Sequence, residues 1–162
     1  MSHLTLRRAL YSEQDTRDLA ASLARLARPG DVIALEGDLG AGKTVFARAF
    51  ITALDGGNEV PSPTFTLVQS YDGTSGPIHH FDLYRLASPE DAFELGLEEL
   101  LPDGISLIEW PDRLGPYMPK DYLTIRMIEN SLTDRVVEAV GAGQLLRSRG
   151  FRAANVDVAF TS

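Results

Sequence analysis

The stretch "VIALEGDLGAGKTVFARAF", Val32 to Phe50, decides the fold. Its first part, with Val32, Ile33 and Leu35, is an apolar run of strand length. Its last part puts Phe46, Ala49 and Phe50, with Ala53 beyond, on one face of a helix. Between them "GDLGAGKT", Gly37 to Thr44, matches G-x-x-x-x-G-K-[ST]. Ordinary residue usage produces such a match by accident in about 0.5% of chains of this length. Strand, glycine loop and helix together are the context that a phosphate loop requires, so the stretch predicts binding of a nucleoside triphosphate.

The residue types assign the roles. Gly37, Gly40 and Gly42 permit backbone conformations and close approaches that a side chain would block. Successive N–H groups, Ala41 among them, then converge on an anion at the start of a helix. Lys43 supplies a mobile ammonium for the β- and γ-phosphates, and the Thr44 hydroxyl is a ligand for Mg²⁺. Val45, next in the helix, has no hydroxyl and cannot duplicate Thr44.

Outward from the loop, strands and helices alternate. "LTLRRAL" alternates weakly and reads as an edge strand. Ser12 is an N-cap with Asp15 three residues on, and Leu19, Leu23 and Leu26 follow at helical spacing until Pro29-Gly30. Beyond the loop "DGGNEVPSPT" come the strand "FTLVQSY", a turn at "DGTSGP" and the strand "IHHFDLY". Residues 89–101 read as helical with a break at Gly96, "ISLIEW" as a short buried strand ended by Pro111, and "YLTIRMI" and "RVVEAV" as late strands. "GQLLRSRGF" reads as a last helix. The pattern predicts an α/β phosphate-loop fold in three layers, with a largely parallel central sheet and antiparallel additions at the late strands.

At 162 residues with 44% hydrophobic content, the chain is expected to form one domain, residues 1–162, around one core. A formal net charge of −8 disfavours direct binding to nucleic acid, which needs a basic surface to displace counterions. The absence of cysteine rules out disulfides and thiolate metal sites and suits a reducing cytoplasm. No apolar run approaches the roughly 20 residues of a membrane span. "MSHLTLRRAL" lacks a signal-peptide core.

Phosphoryl transfer needs a second anchor for Mg²⁺ and a group that orients the attacking oxygen, and an open α/β sheet offers both at the carboxyl ends of its strands. Glu109 ends "ISLIE" and Asp82 ends "IHHFD". On the latter strand Ile78, His80 and Asp82 share one face, and His79 and Phe81 share the other, so the two histidines do not form a joint metal site. Ser62, Thr64 and Thr66 place hydroxyls on a Pro-stiffened loop, the type of segment that senses a γ-phosphate as switch loops do; a plain Ser/Thr/Pro turn has the same composition. Arg85 and Arg135 are each within the scope of phosphate charge or of an ordinary surface ion pair. Trp110, the only tryptophan, is equally suited to stacking on a base or partner and to a core position.

A GTPase would carry N-K-x-D, which is missing, and "DRLG" from Asp112 follows Pro111 rather than a strand end. A small-molecule kinase of this size would carry an arginine-bearing lid and an acceptor pocket; no Arg-x-x-Arg lid is found, and Arg147 and Arg149 lie near the C-terminus, outside any such lid. A nucleotide-gated binding module remains a third class.

In this order and at these separations, "GDLGAGKT", "SPTFTLV", "HFDLYRL", "LGLEE" and "IEWP" resemble the TsaE family, formerly YjeE, from about Asp31 to Pro119. The resemblance implies a phosphate-loop ATPase that binds ATP with Mg²⁺, is weak alone and serves threonylcarbamoyladenosine synthesis in tRNA. It implies two partners, TsaD, which modifies the adenosine beside the anticodon in tRNAs reading codons that begin with A, and its companion TsaB. ATP hydrolysis would reset that pair between rounds, and tRNA would be met only through them. By position, the family's loop residues fall on Gly40 to Thr44, its Mg²⁺ acid on Glu109 and its γ-phosphate-proximal aspartate on Asp82. Glu13 aligns with a residue near the nucleotide base and Arg135 with a late nucleotide-proximal arginine. Val45, where the family often has Thr, and "YMP", where Leu-Pro is usual, depart from the pattern.

Overall fold

The computed structural model describes residues 3–38, 42–55, 67–129 and 135–142, with side chains for these except 3–8, 55 and 135–142. The elements are β1 (His3–Leu10), α1 (Glu13–Leu26), β2 (Val32–Glu36), α2 (Lys43–Asp55), β3 (Val68–Gly73) and β4 (Gly76–Asp82), then a 3-10 segment (Pro89–Leu95), α3 (Leu97–Asp103), β5 (Ile105–Glu109), a second 3-10 segment (Pro111–Tyr117), β6 (Leu123–Glu129) and β7 (Arg135–Ala142).

Local chemistry accounts for the start of α1 and for the junction before α3. The Ser12 hydroxyl accepts from the Asp15 amide at 3.1 Å, while Asp15 Oδ2 accepts from the Tyr11 amide at 2.9 Å. The cap therefore works in both directions at the start of α1. Gly96 takes φ +80°, which stops the first 3-10 segment and lets α3 begin, as the break expected there requires.

Among the described residues seven strands form one sheet in the order β1-β7-β6-β2-β5-β4-β3. The inner four, β6-β2-β5-β4, are parallel. The two outermost pairs, β1 with β7 and β3 with β4, are antiparallel, as is β6 with β7. The parallel centre and the late antiparallel strands match the expectation, and the β3–β4 hairpin adds an antiparallel edge on the opposite side.

Strand alternation sorts the core into two faces. Ile33, Leu35, Ile105, Leu107 and Ile78 pack with Leu19, Leu23, Phe46, Phe50 and Ile51 of α1 and α2. Val32, Phe81 and Ile108 pack with Ala92, Leu97 and Leu114 from α3 and the 3-10 segments. Helical elements thus cover both faces, giving three layers. Gly104, between α3 and β5, is a close approach: a Cβ there would fall well inside contact distance of the Pro77 carbonyl oxygen.

The expected switch-loop residues Ser62, Thr64 and Thr66, the loop residues Gly40 and Ala41, and the expected last helix lie outside the described residues.

Candidate functional site

All four inner strands point their carboxyl ends to the edge from which α2 starts, the crevice in which open α/β sheets bind ligands. Gly37 at φ +144° and Gly42 at φ +105° flank the glycine loop in conformations that side chains rarely adopt. The Phe46 amide bonds the Gly42 carbonyl at 2.9 Å, closing the first turn of α2.

Lys43 is only 4% exposed. Its Nζ donates to the Gly37 carbonyl at 2.6 Å and stands 3.5 Å from the centre of the Trp110 ring. Burial pulls its pKa below the ordinary lysine value, and Glu109, Asp82, Asp38 and Asp112 work against that. The ammonium is thus desolvated, ringed by acids and held by one carbonyl and one aromatic face. Thr44 is exposed at the start of α2.

Glu109 and Asp82 are opposite each other in the β5–β4 register, at the last residue of each strand. Glu109 belongs to the set Ile105, Leu107, Glu109 and so faces the α1–α2 side, where Lys43 lies. It is buried, and its Oε2 is 2.7 Å from His80 Nε2. Asp82 is half-buried, and its Oδ1 accepts from the Tyr84 amide at 3.3 Å. The carboxylate oxygens of Glu109 and Asp82 and the hydroxyl of Thr44 are hard donors, the type that Mg²⁺ takes up with nucleotide phosphates and water. Among the described residues no group of three or more His, Cys, Asp or Glu is arranged as an all-protein metal cage.

Trp110 takes φ +59°, the only positive φ of a non-glycine among the described residues. A bulky residue held there is strained. The turn brings its indole over Lys43 and within 5.0 Å of the Tyr84 ring, which in turn lies 5.8 Å from the Arg113 guanidinium. A cavity of about 390 Å³ opens beside these groups, lined by Gly37, Asp38, Lys43, Trp110, Asp112 and Arg126 among others. Trp110 is therefore part of the wall of this cavity.

Glu13 and Val45 line a separate groove of about 650 Å³ between α1 and α2. Arg135 lies in β7, and its side chain is outside the described residues; Arg85 is exposed. The structure thus brings Lys43, Glu109 and Asp82 together and sets Glu13 along the flank of α2.

His80, Asp38 and Asp112 were missed as site residues by sequence reasoning. The only signal for His80 was its place on the same strand face as Asp82.

A family model described as threonylcarbamoyl adenosine biosynthesis protein TsaE matches residues 10–137. A tRNA threonylcarbamoyladenosine biosynthesis protein TsaE from Rickettsia conorii is 46% identical over 124 residues, 76% of this chain and 68% of that protein. The protein of the same description from Bacillus subtilis is 39% identical over 113 residues, 69% of this chain and 70% of that protein. The crystal structure of Bacillus subtilis YdiB superposes with a TM-score of 0.79 at 29% identity, covering 98% of this chain and 97% of that one.

Proposed function

Because this chain belongs to the TsaE family, we propose that it is a Mg²⁺-dependent ATPase serving threonylcarbamoyladenosine synthesis in tRNA. The observation that carries the ATPase reading is the convergence of Lys43, Glu109 and Asp82 beside the glycine loop. Family membership supports the role in tRNA modification. The net charge of −8 fits a subunit that leaves RNA to its partners.

In this reading the triphosphate enters along the start of α2, and Lys43 leaves the Gly37 carbonyl and the Trp110 face for the β- and γ-phosphates. The bond and the cation–π contact it gives up are replaced by charge-assisted bonds to phosphate oxygens. Gly37, Gly40, Ala41, Gly42 and Thr44 form the cradle, with Val45, Glu13 and Arg135 nearer the base. Thr44 and Glu109 would hold Mg²⁺, which when bound neutralises charge on the phosphates. Asp82 accepts a hydrogen bond from the attacking water and orients it in line with the γ-phosphorus. Ser62, Thr64 and Thr66 form the loop that senses the γ-phosphate.

The proposed partners are TsaB and TsaD, on which the chain docks and whose complex it resets between turnovers in the cytoplasm. Among the described residues no helix is long and apolar enough to cross a membrane. The test is an ATPase assay with and without the purified TsaB–TsaD pair. Stimulation by the pair, with release of inorganic phosphate, is expected. Transfer of labelled γ-phosphate to a metabolite would instead identify a kinase. Multi-turnover tRNA modification that survives in a folded Lys43→Ala protein unable to bind ATP would overturn the reading.

A further inference from the structure

We propose that His80 is the positioning residue for Glu109: its imidazole fixes the buried carboxylate in the orientation from which that group anchors Mg²⁺. This inference rests on the reading of Glu109 as the metal acid. The contact is short, 2.7 Å between Nε2 and Oε2, and it joins side chains that are only 1% and 5% exposed. An ionised carboxylate only accepts hydrogen bonds, so Nε2 carries the proton and donates it.

The fold explains why the pair meets. β4 and β5 run parallel, with His80 opposite Leu107 and Asp82 opposite Glu109. His80 therefore sits one pleat below the acidic edge, on the same face as Glu109. The nearby ammonium of Lys43 bonds the Gly37 carbonyl instead, so the imidazole is the group seen to satisfy Glu109 Oε2. A buried carboxylate left without that donor would be free to rotate or to draw Lys43 away from the nucleotide. With Oε2 held, Oε1 is the oxygen left uncommitted by the imidazole. Supporting donors of this kind are worth roughly 10- to 100-fold in metal affinity.

The test reads metal coupling instead of turnover. ATP binding is titrated calorimetrically in EDTA and across a Mg²⁺ series for wild type, Glu109→Ala, His80→Phe and His80→Gln. His80→Phe is expected to raise the Mg²⁺ concentration for half-maximal strengthening of ATP binding about ten-fold or more. Its ATP binding in EDTA should stay within about two-fold of wild type, and His80→Gln, which returns an N–H near the Nε2 position, should recover most of the loss.

A wild-type midpoint in His80→Phe, beside a shifted one in Glu109→Ala, overturns the role of His80 alone. An unshifted midpoint in Glu109→Ala overturns the metal reading of Glu109 and this inference with it. Equal loss in EDTA, or a His80→Gln protein no better than His80→Phe, also overturns it. If the variants do not fold, the Nε2–H proton resonance of wild-type His80 serves. It is expected to persist when Mg²⁺ and ATP are added, and its disappearance would overturn the proposal.

Discussion

His79 and His80 are neighbours in sequence and face opposite sides of β4, and the difference between their surroundings separates what holds this protein together from what it is built to do. On one side His79 is 3% exposed, with Nδ1 2.7 Å from Ser70 Oγ and Nε2 3.0 Å from Asp103 Oδ2. It ties the edge strand β3 and the end of α3 to β4, and its acid partner is half in water. On the other side His80 reaches a carboxylate that is itself buried, at the strand edge beside Lys43. The same imidazole is thus a tether where it meets solvent-side groups and a support for a site where it meets a buried acid. A buried charge is tolerated only with hydrogen-bonded partners, which makes the second face sensitive to small changes.

The contrast can be broken from either side. The largest expected effect is on the His79 face: Phe81 is fully buried against α3 and the 3-10 segments, so Phe81→Ala should cost about 3–5 kcal/mol of stability. In a urea titration the midpoint should fall, while ATP affinity per folded molecule stays within about three-fold of wild type. Next comes Lys43→Ala, which removes the ammonium from the other face. ATP binding should weaken about 100-fold or more, equivalent to about 2.7 kcal/mol, with little change in the unfolding midpoint.

His79→Ala comes third and sharpens the comparison with its neighbour. It deletes two hydrogen bonds and should destabilise the fold by about 1–3 kcal/mol. Unlike His80→Phe, it should leave the Mg²⁺ dependence of ATP binding unchanged. If His79→Ala shifted the Mg²⁺ midpoint as far as His80→Phe does, the division between the two faces would be wrong.

The smallest effect is a pH dependence carried by Lys43. Its pKa is lowered by burial, against the pull of four acids. In the alkaline window between that lowered value and the ordinary lysine value, the unfolded chain binds more protons than the folded one. The contribution of Lys43 therefore makes stability rise with pH across the window. Triphosphate acts oppositely: its charge favours the ammonium, so ATP affinity should fall across the same window and binding should take up a proton. Thermal melts and calorimetry in buffers of different ionisation enthalpy, against Lys43→Met as the baseline, would show both signs.

How much of this could be read from the chain depends on how far apart the interacting residues are. The Ser12 cap of α1 joins residues three and four apart, and the stop at Gly96 is a property of one glycine. Such features follow from local rules. The glycine loop, the strand that feeds it and the acids at the ends of β4 and β5 were equally legible, because position at a strand end is itself a sequence property. The β3–β4 antiparallel edge and the pairing of β1 with β7 needed the sheet order, which joins segments more than a hundred residues apart in the second case.

By itself, then, the sequence determined the phosphate loop, the parallel α/β centre and the acids Asp82 and Glu109 as candidates, because periodicity and glycine placement act over a few residues. Only the tertiary structure decided which partners those groups meet. His80 and Glu109 are 29 residues apart, and their contact exists because β4 and β5 pair in one parallel register. A slip of one residue would turn His80 to the other face. Trp110 could be a core residue, a stacking platform or a partner contact until its strained turn set the indole over Lys43. Composition and spacing carry no information about such a backbone angle, which belongs to the single residue between β5 and the second 3-10 segment.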